Sequence, residues 1–343
     1  MKYEKRLLEN AASSYNESDI MYKLNDITEM IENRLSEIDL LVEPDGLYAP
    51  IRYILSLGGK RIRPALMLMA ADMFEADLAS MINVAMGFEV FHNFTLLHDD
   101  LMDKADRRRG NLTVHKKWSD NTAILSGDVM LVVAYKLIAT TPSQYLSTIL
   151  NLFSKTAAEI CEGQQYDMEF EQRSNVTLDE YIEMIRLKTA VLLGASLKAG
   201  AILAGVGEKD ASLLYDFGIN IGLAFQIKDD LLDVYGDPKV FGKNIGGDIR
   251  CNKKTFVLLK AREKASVTQL EQLDKWMKTI GRDEEKVTAV TAVYNEIGVK
   301  VVCEEVMSAY YESAMKCLQA VNVSDERKLP LKQLAEKMMC REL

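Results

Sequence analysis

The chain has 343 residues, of which 48% are hydrophobic, and its 51 acidic and 42 basic residues give a formal net charge of −9. This length allows a domain with a sizeable buried core. The negative charge argues against general nucleic-acid binding. The five cysteines lack CxxC spacing, which predicts neither a zinc site nor a disulfide framework.

Residues 1–20 mix both charges and contain no apolar core of a secretory signal. We expect this segment to be poorly ordered and residues 21–343 to form a single domain. The most apolar stretch, residues 190–206, carries Ser196 and Lys198 and is short for a bilayer span, so it predicts a buried helix. These features predict a cytoplasmic protein without stable membrane insertion.

Apolar residues recur three and four positions apart over most of the chain, which predicts helices almost throughout. Pro64 suits a first helical turn, and Thr177 with Glu180 predicts a capping box. No alternating apolar and polar run is long enough to build a sheet. In chain order, the clearest predicted helices cover residues 25–41, 82–103, 122–140, 180–205 and 213–236. The fold class is therefore predicted to be all-α.

Two Asp-Asp-x-x-Asp clusters lie at the C-terminal ends of two of the most apolar predicted helices. They consist of Asp99, Asp100 and Asp103, and of Asp229, Asp230 and Asp233. The first and last carboxylates of each cluster share one helical face and repel each other unless a cation binds between them. One such cluster is typical of a solvated helix end. Two copies, each followed by basic residues and glycines, predict a site where Mg²⁺ binds together with a diphosphate.

Basic residues near these clusters match an anionic substrate. Lys60 and Arg63 follow a glycine pair at a predicted helix start, where backbone N–H groups also attract phosphate. The arginine run 107–109 follows the first cluster, and guanidinium geometry suits phosphate oxygens. Lys188 interrupts an apolar helix, where it either extends to solvent or has a function. His92 lies two turns before the first cluster. Further candidates beside the second cluster are Gln226, Lys243 and Lys253.

The ordered set of motifs resembles that of the trans-isoprenyl diphosphate synthases (polyprenyl synthetases), the farnesyl and geranylgeranyl diphosphate synthase family. The matching segments are GGKRIRP, HNFTLLHDDLMD with RRRG, GQQYD, RLKTA, FQIKDDLLD, and GKNIGGD with KKT. Each is weak alone, but the set is specific and extends from Gly58 to Thr255. Asn252 stands where a glycine is frequent in the family, which leaves the geometry around Lys253 open.

The resemblance implies an isoprenoid-synthase-type helical bundle around a central cavity, with the two clusters facing each other at its mouth, and a homodimer. It implies catalytic roles for all six aspartates, Lys188 and Lys243. Three Mg²⁺ ions would be held by Asp99, Asp103 and Asp229. The allylic diphosphate would contact Arg108, Lys188 and Lys243, and isopentenyl diphosphate would contact Lys60, Arg63, His92 and Arg109. Thr189, Gln226 and Lys253 would complete the polar lining, with Gln164 and Asp167 close by.

The implied reaction joins isopentenyl diphosphate to an allylic diphosphate and gives an all-trans prenyl diphosphate. In this family, bulky side chains upstream of the first cluster form the floor of the product cavity. Phe94 lies five residues before Asp99, about 7 Å along a helix, and the small Thr95 is its neighbour. This pattern resembles the short-chain geranylgeranyl type, with farnesyl diphosphate as the second candidate product.

Two other functions fit part of the pattern. A terpene cyclase shares the first cluster, but it normally has an Asn-Ser-Glu type triad in place of the second and needs no second diphosphate site. A non-catalytic partner subunit that binds prenyl diphosphates usually lacks one cluster. This sequence has both clusters, which favours the prenyltransferase.

Overall fold

Helices form nearly all of the structure, a computed structural model that describes residues 17–236 and 245–340. Residues 1–16 of the segment expected to be poorly ordered, and Lys243, lie outside the described residues. In chain order the helices are α1 (Glu17–Ser36), α2 (Asp45–Ser56), α3 (Ile62–Asp72), α4 (Ile82–Met102), α5 (Val114–Lys117), α6 (Asp120–Ile138), α7 (Ser143–Gln172), α8 (Leu178–Ile185), α9 (Val191–Leu203), α10 (Glu208–Tyr235), α11 (Gly247–Arg250), α12 (Phe256–Lys264), α13 (Val267–Met277), α14 (Asp283–Ile297), α15 (Val299–Ala320) and α16 (Asp325–Cys340). The prediction of an all-α fold is confirmed.

The helix starts follow local sequence signals. Pro64 lies in the first turn of α3, where its missing N–H costs no hydrogen bond. Thr177 and Glu180 form both halves of the predicted capping box before α8. The predicted helix 82–103 agrees closely with α4. The predicted helix 25–41 was misplaced, since α1 begins earlier and ends at Ser36.

Two short elements were not expected from the periodicity. The predicted helix 180–205 is interrupted by one turn of π-helix at Arg186–Ala190, between α8 and α9. A small antiparallel hairpin pairs β1 (Arg107–Arg108) with β2 (Asn111–Leu112). Both elements carry candidate site residues.

The core is formed by helices that are apolar on most sides. Helix α4 packs against α6, and α9 packs against α3 and α10, which in turn packs against α15. All residues of α9 except Lys198 are buried, because neighbouring helices cover it on every side. Gly194 and Gly218 let α9 and α10 approach closely, since a Cβ atom on Gly218 would lie 2.6 Å from the Gly194 Cα. The buried-helix interpretation is thus confirmed for residues 191–203, whereas residues 204–206 follow the helix and are half-buried or exposed.

Helix α6 differs from the other core helices because much of its apolar surface is exposed. Among the described residues it is the one helix long and apolar enough to cross a membrane by length and composition, and 33% of its apolar window is buried. Ile124, Leu125 and Val132 are exposed on it.

Candidate active site

The π-helical turn between α8 and α9 sets the position of Lys188. Helix α7 approaches this turn so closely that a Cβ atom on Gly163 would lie 2.3 Å from the Lys188 backbone nitrogen. Glycine is therefore required at the crossing, because any side chain would push the turn away. A π-turn inserts one extra residue into a helix and re-aims the side chains around it, which is why such turns are frequent at functional sites.

Lys188 connects the first acidic cluster to α7. Its Nζ lies 2.7 Å from the Asp167 Oδ2 and 3.1 Å from the Asp99 Oδ1. Burial lowers the pKa of Lys188, but these two carboxylates outweigh it and hold the pKa above its usual value. The next residue, Thr189, donates to the Gln226 Oε1 of α10 at 3.4 Å. The π-turn therefore links the helices that carry the two clusters.

The first cluster at the end of α4 is paired with cationic side chains. The Arg108 Nε donates to the buried Asp100 at 2.7 Å, and an Arg108 Nη lies 3.4 Å from Asp99. Asp103 is exposed overall, but neighbouring protein atoms partly desolvate its carboxyl group, and this effect together with the charge of Asp99 raises its pKa. Asp99 and Asp103 thus form an acidic edge, whereas Asp100 anchors the hairpin that follows.

This hairpin sends consecutive arginines to different partners. Arg109 (φ 52°) and Gly110 (φ 79°) occupy its two-residue turn, and positive φ at both positions is typical of a type I′ turn. Arg108 returns to the first cluster. The Arg109 guanidinium packs on Gly59, where an added Cβ atom would lie 2.8 Å from its nitrogens.

A second cationic group surrounds the glycine pair before α3. Arg63 is half-buried, its Nε has no hydrogen-bond partner among the described residues, and burial lowers its pKa to about 10. Burial and the charges of Arg63 and Arg109 hold the pKa of His92 well below its usual value, so this imidazole is neutral at pH 7. Lys60 is exposed beside them. Cationic groups gathered at this density favour an anionic ligand.

A buried hydrogen-bond network that was not predicted from the sequence lies beneath this group. Arg61 adopts a left-handed backbone (φ 47°) and donates to Glu89 on α4 and Glu32 on α1, both at 2.8 Å. Asn93 in turn donates to Glu89 at 3.0 Å. The glycine loop with Lys60 is thereby fixed to the helix that carries the first cluster. The only sequence signal was the position of Arg61 between two candidate residues.

In the second cluster, Asp230 is turned into the protein. It accepts hydrogen bonds from the Tyr181 hydroxyl of α8 at 2.5 Å and from the Phe256 backbone N–H of α12 at 2.8 Å. Burial raises the pKa of Asp230 to about 7, and both donors oppose this shift. Tyr181 has no distinctive sequence context, so its contact could not be predicted.

All three aspartates of this cluster line a polar cavity. The Asp233 Oδ2 accepts the backbone N–H of Asp248 at 3.0 Å, at the start of α11. Asp229 lines the cavity, which has a volume of about 210 Å³. Its predicted lining residues are Asp167, Lys188, Thr189, Gln226, Asp229, Asp230, Asp233 and Lys253, and those not singled out from sequence are Tyr181, Met184, Ile185, Asp248, Lys254 and Thr255.

Lys253 lines the cavity beside the second cluster and is close enough to Asp103 of the first to feel its charge. Burial lowers its pKa, but Asp167, Asp248 and Asp103 outweigh that effect and raise the pKa above its usual value. Lys253 therefore stays cationic between the two acidic edges. The Gln164 Nε2 is also buried, without a hydrogen-bond partner among the described residues.

The described residues contain no group of three His, Cys, Asp or Glu side chains that could hold a metal ion. The donor set still fits Mg²⁺ bound jointly with a diphosphate, because this ion usually takes one or two carboxylates and completes its octahedron with phosphate and water oxygens. Exposed Asp103 beside Asp99 offers such oxygens on one side. Asp229 offers them from the cavity lining on the other.

An aromatic column lies below the first cluster inside α4. The Phe94 ring is 4.8 Å from the His98 ring and 5.6 Å from the Phe91 ring, measured between centroids. Phe91 in turn packs on Phe153 of α7 at 5.1 Å. The hydroxyl of Thr95 donates to the His92 carbonyl of its own helix at 2.8 Å. The surface below Asp99 is therefore predominantly apolar.

Comparisons with known proteins extend over nearly the whole chain. The sequence model of the family described as Polyprenyl synthetase matches residues 44–297. A geranylgeranyl diphosphate synthase of Methanosarcina mazei is 36% identical over 325 residues, which are 92% of this chain and 98% of that protein. A crystal structure of a geranylgeranyl pyrophosphate synthase is 42% identical, with a TM-score of 0.87 over 96% of this chain and all of the other. A polyprenyl synthase of Caulobacter crescentus, solved with calcium and isoprenyl diphosphate, is 28% identical, with a TM-score of 0.79 over 99% of this chain and 98% of the other.

Proposed function

The chain belongs to the polyprenyl synthetase family, and we propose that it is a trans-prenyltransferase that makes geranylgeranyl diphosphate from isopentenyl diphosphate and allylic diphosphates. The observation that supports this proposal is the presence of two separate groups of cationic side chains, each of which can bind a diphosphate. One lies between the acidic clusters around Lys188 and Lys253, and the other is the cationic group around Arg63 and Arg109. A terpene cyclase, which binds one diphosphate, has no use for the second.

The allylic diphosphate binds between the two clusters in this proposal. The family uses Mg²⁺ to bind diphosphates, and three ions on Asp99, Asp103 and Asp229 would neutralise the charge that develops on the leaving group. Arg108, Lys188 and Lys253 add cationic charge around the same oxygens, and Thr189 and Gln226 complete the polar wall. The family resemblance gives Lys243 the same role. Asp100 keeps Arg108 in place through its 2.7 Å hydrogen bond.

Isopentenyl diphosphate binds at the cationic group before α3. Arg63 and Arg109 can donate in pairs to phosphate oxygens, and Lys60 adds a flexible charge at the rim. Neutral His92 contributes one N–H donor without adding to the repulsion among the arginines. Because Arg61 is fully engaged with Glu32 and Glu89, it holds the loop rather than the substrate.

The reaction breaks the allylic C–O bond, and the diphosphate leaves with the bonding electrons. The double bond of isopentenyl diphosphate attacks the allylic cation, a new C–C bond forms, and one proton is lost to restore a double bond. Among the described residues no side chain stands out as the base, so we assign the proton to the departing diphosphate. The apolar surface below Asp99 excludes water that would otherwise trap the cation.

In this proposal, the side chain at the bottom of the apolar surface below Asp99 sets the product length. Phe94 is 9% exposed and is held between the rings of Phe91 and His98, so we propose that it stops the growing chain. The relatives by sequence include several proteins named geranylgeranyl diphosphate or pyrophosphate synthase, which supports a C20 product.

We also propose a homodimer in the cytoplasm. Helix α6 exposes Ile124, Leu125 and Val132 although its other face packs on α4, and a second copy of the chain would bury this apolar surface. Gel filtration with light scattering measures the stoichiometry. Leu125→Glu should shift the protein towards monomer. Glu162→Lys, at an exposed position of α7, should not.

The direct test is to incubate the protein with isopentenyl diphosphate and, in turn, dimethylallyl, geranyl or farnesyl diphosphate. Product chain length is then measured by mass spectrometry, with Mg²⁺ or with excess chelator. We expect geranylgeranyl diphosphate from each allylic partner and no product with chelator. Absence of condensation with every partner contradicts the prenyltransferase function, and a cyclic hydrocarbon product would instead indicate a cyclase.

A further inference from the structure

The segment that carries Lys253 into the cavity depends on an unusual backbone position. Asn252, immediately before it, has φ 57°, in the left-handed region that glycine adopts freely and asparagine tolerates better than most residues. The Lys253 backbone N–H then donates to the Asp248 carbonyl at 2.9 Å. The direction of the Lys253 side chain therefore depends on the conformation of Asn252.

The side chain of Asn252 is held by a buried lysine from α14. The Lys286 Nζ donates to the Asn252 Oδ1 at 2.5 Å and to the Arg250 carbonyl at 3.4 Å. Lys286 is only 2% exposed, although lysine is almost never fully buried without partners. The Lys286 ammonium group thus donates to the last carbonyl of α11 and to the side chain in the turn that follows.

Other contacts between α14 and this segment cannot replace that bond. Arg250 pairs with Glu284 at 2.8 Å, but Glu284 is 84% exposed, and exposed ion pairs contribute little. Val287 packs on Gly246, where a Cβ atom would lie 2.6 Å from its side chain. That apolar contact lies before α11, whereas Asn252 and Lys253 follow it. Lys286 therefore provides the buried hydrogen bonds that connect α14 to the turn at Asn252.

We propose that Lys286 is a positioning residue, which holds Asn252 in its left-handed conformation and so aims Lys253 at the diphosphate in the cavity. The inference rests on the proposed function of that cavity. It also accounts for the departure from the family pattern at Asn252. A glycine needs no side-chain anchor for this conformation, whereas asparagine supplies the oxygen that anchors it to α14.

The test is Lys286→Met in the full chain with Mg²⁺, with each substrate varied while the other is saturating. We expect KM for the allylic diphosphate to rise at least about fivefold and KM for isopentenyl diphosphate to change less than about twofold, because only the cavity around Lys253 is disturbed. Asn252→Ala removes the same bond from the other side and should give the same change. In the double variant Asn252→Gly with Lys286→Met, most of the allylic affinity should return.

Lys328→Met is the matched control. Lys328 is similarly buried (6% exposed) and donates to the Gln319 carbonyl at 2.8 Å, but it lies on α16, outside the cavity lining. It should lower thermal stability without changing either KM. The inference is overturned if Lys286→Met, or Asn252→Ala should the first variant not fold, leaves both KM values unchanged or raises them equally.

Binding of Mg²⁺–pyrophosphate, measured by calorimetry, separates this inference from the proposed function. If the unmodified protein binds pyrophosphate but makes no prenyl product, the function fails. A loss of pyrophosphate affinity in Lys286→Met with recovery in the glycine double variant would then still support the positioning role. Equal affinity in all these variants contradicts it.

Discussion

The two acidic clusters have the same Asp-Asp-x-x-Asp spacing but different structural surroundings. In the first, Asp99 and Asp100 are paired with Lys188 and Arg108, and Asp103 is exposed. In the second, Asp230 and Asp233 are both buried, and each accepts a backbone N–H from another element, from Phe256 and Asp248 respectively. The same Asp-Asp-x-x-Asp spacing therefore places its carboxylates in different surroundings in the two clusters.

From this difference we propose separate roles for the aspartates of the second cluster. Asp230 joins α10 to Tyr181 of α8 and Phe256 of α12. Asp233 caps the start of α11. Because Tyr181 and Phe256 engage the Asp230 carboxylate, we propose a structural role for Asp230 and keep metal binding in this cluster for Asp229, which also lines the cavity. In the first cluster, both Asp99 and Asp103 can face the ions.

Replacing the proposed metal ligands should cause the largest loss of activity. We expect Asp99→Ala and Asp229→Ala each to lower kcat/KM by about 10²–10³-fold, because each removes charge that compensates the leaving diphosphate. Unfolding free energy should change by less than about 1 kcal/mol. Asp216→Ala, on an exposed turn of α10, is the control and should retain activity. Near-normal turnover of either cluster variant would remove that residue from the metal site.

The apolar surface below the first cluster should control the length of the product. Phe94→Ala should lengthen the product by at least one five-carbon unit, because it opens space between His98 and Phe91. Phe88→Ala is the control, since this deeper ring packs on Phe153. It should cost about 3–5 kcal/mol of stability and leave a C20 product. An unchanged product from Phe94→Ala, measured by mass spectrometry, would show that another side chain stops growth.

The sequence predicted the fold class and the position of both clusters because these depend on local spacing. Helical periodicity located α4 to within one residue, and the capping box located the start of α8. The π-turn could not be predicted, since the apolar pattern continues through it and the interruption accompanies the close approach of Gly163 on another helix. Likewise, the burial of Asp230 depends on Tyr181 and Phe256, which lie 49 and 26 residues away. Spacing within one helix contains no information about such partners.

A smaller effect should distinguish Asp230 from Asp229 by stability. Asp230→Ala leaves the buried Tyr181 hydroxyl and Phe256 N–H without their acceptor, which costs about 1–3 kcal/mol per unsatisfied group. Relief of the buried carboxylate offsets part of that cost, so we expect a net loss of about 1–3 kcal/mol. Chemical denaturation at fixed protein concentration measures it against Asp229→Ala. Equal stability of the two variants would contradict the structural assignment.

The pH dependence of stability reports on the burial of Asp230. Its pKa in the folded protein is about 7, against an ordinary value of 3.8. Between these values the unfolded chain releases the proton while the folded protein keeps it, so this group makes folding less favourable as pH rises from about 4 to 7. Above pH 7 both states are ionised and the contribution is constant.

Asp230→Asn cannot titrate, and its amide oxygen can still accept from Phe256. Denaturation of metal-free protein at several pH values should therefore show the variant gaining stability relative to the unmodified chain from pH 4.5 to 7, with no further gain up to pH 8. Asp216→Asn corrects for the loss of one negative charge. If the stability difference for Asp230→Asn stays flat from pH 4.5 to 7, the carboxylate ionises normally in the fold. Asp230 would then be as accessible to cations as Asp229, and the contrast between the two clusters would disappear.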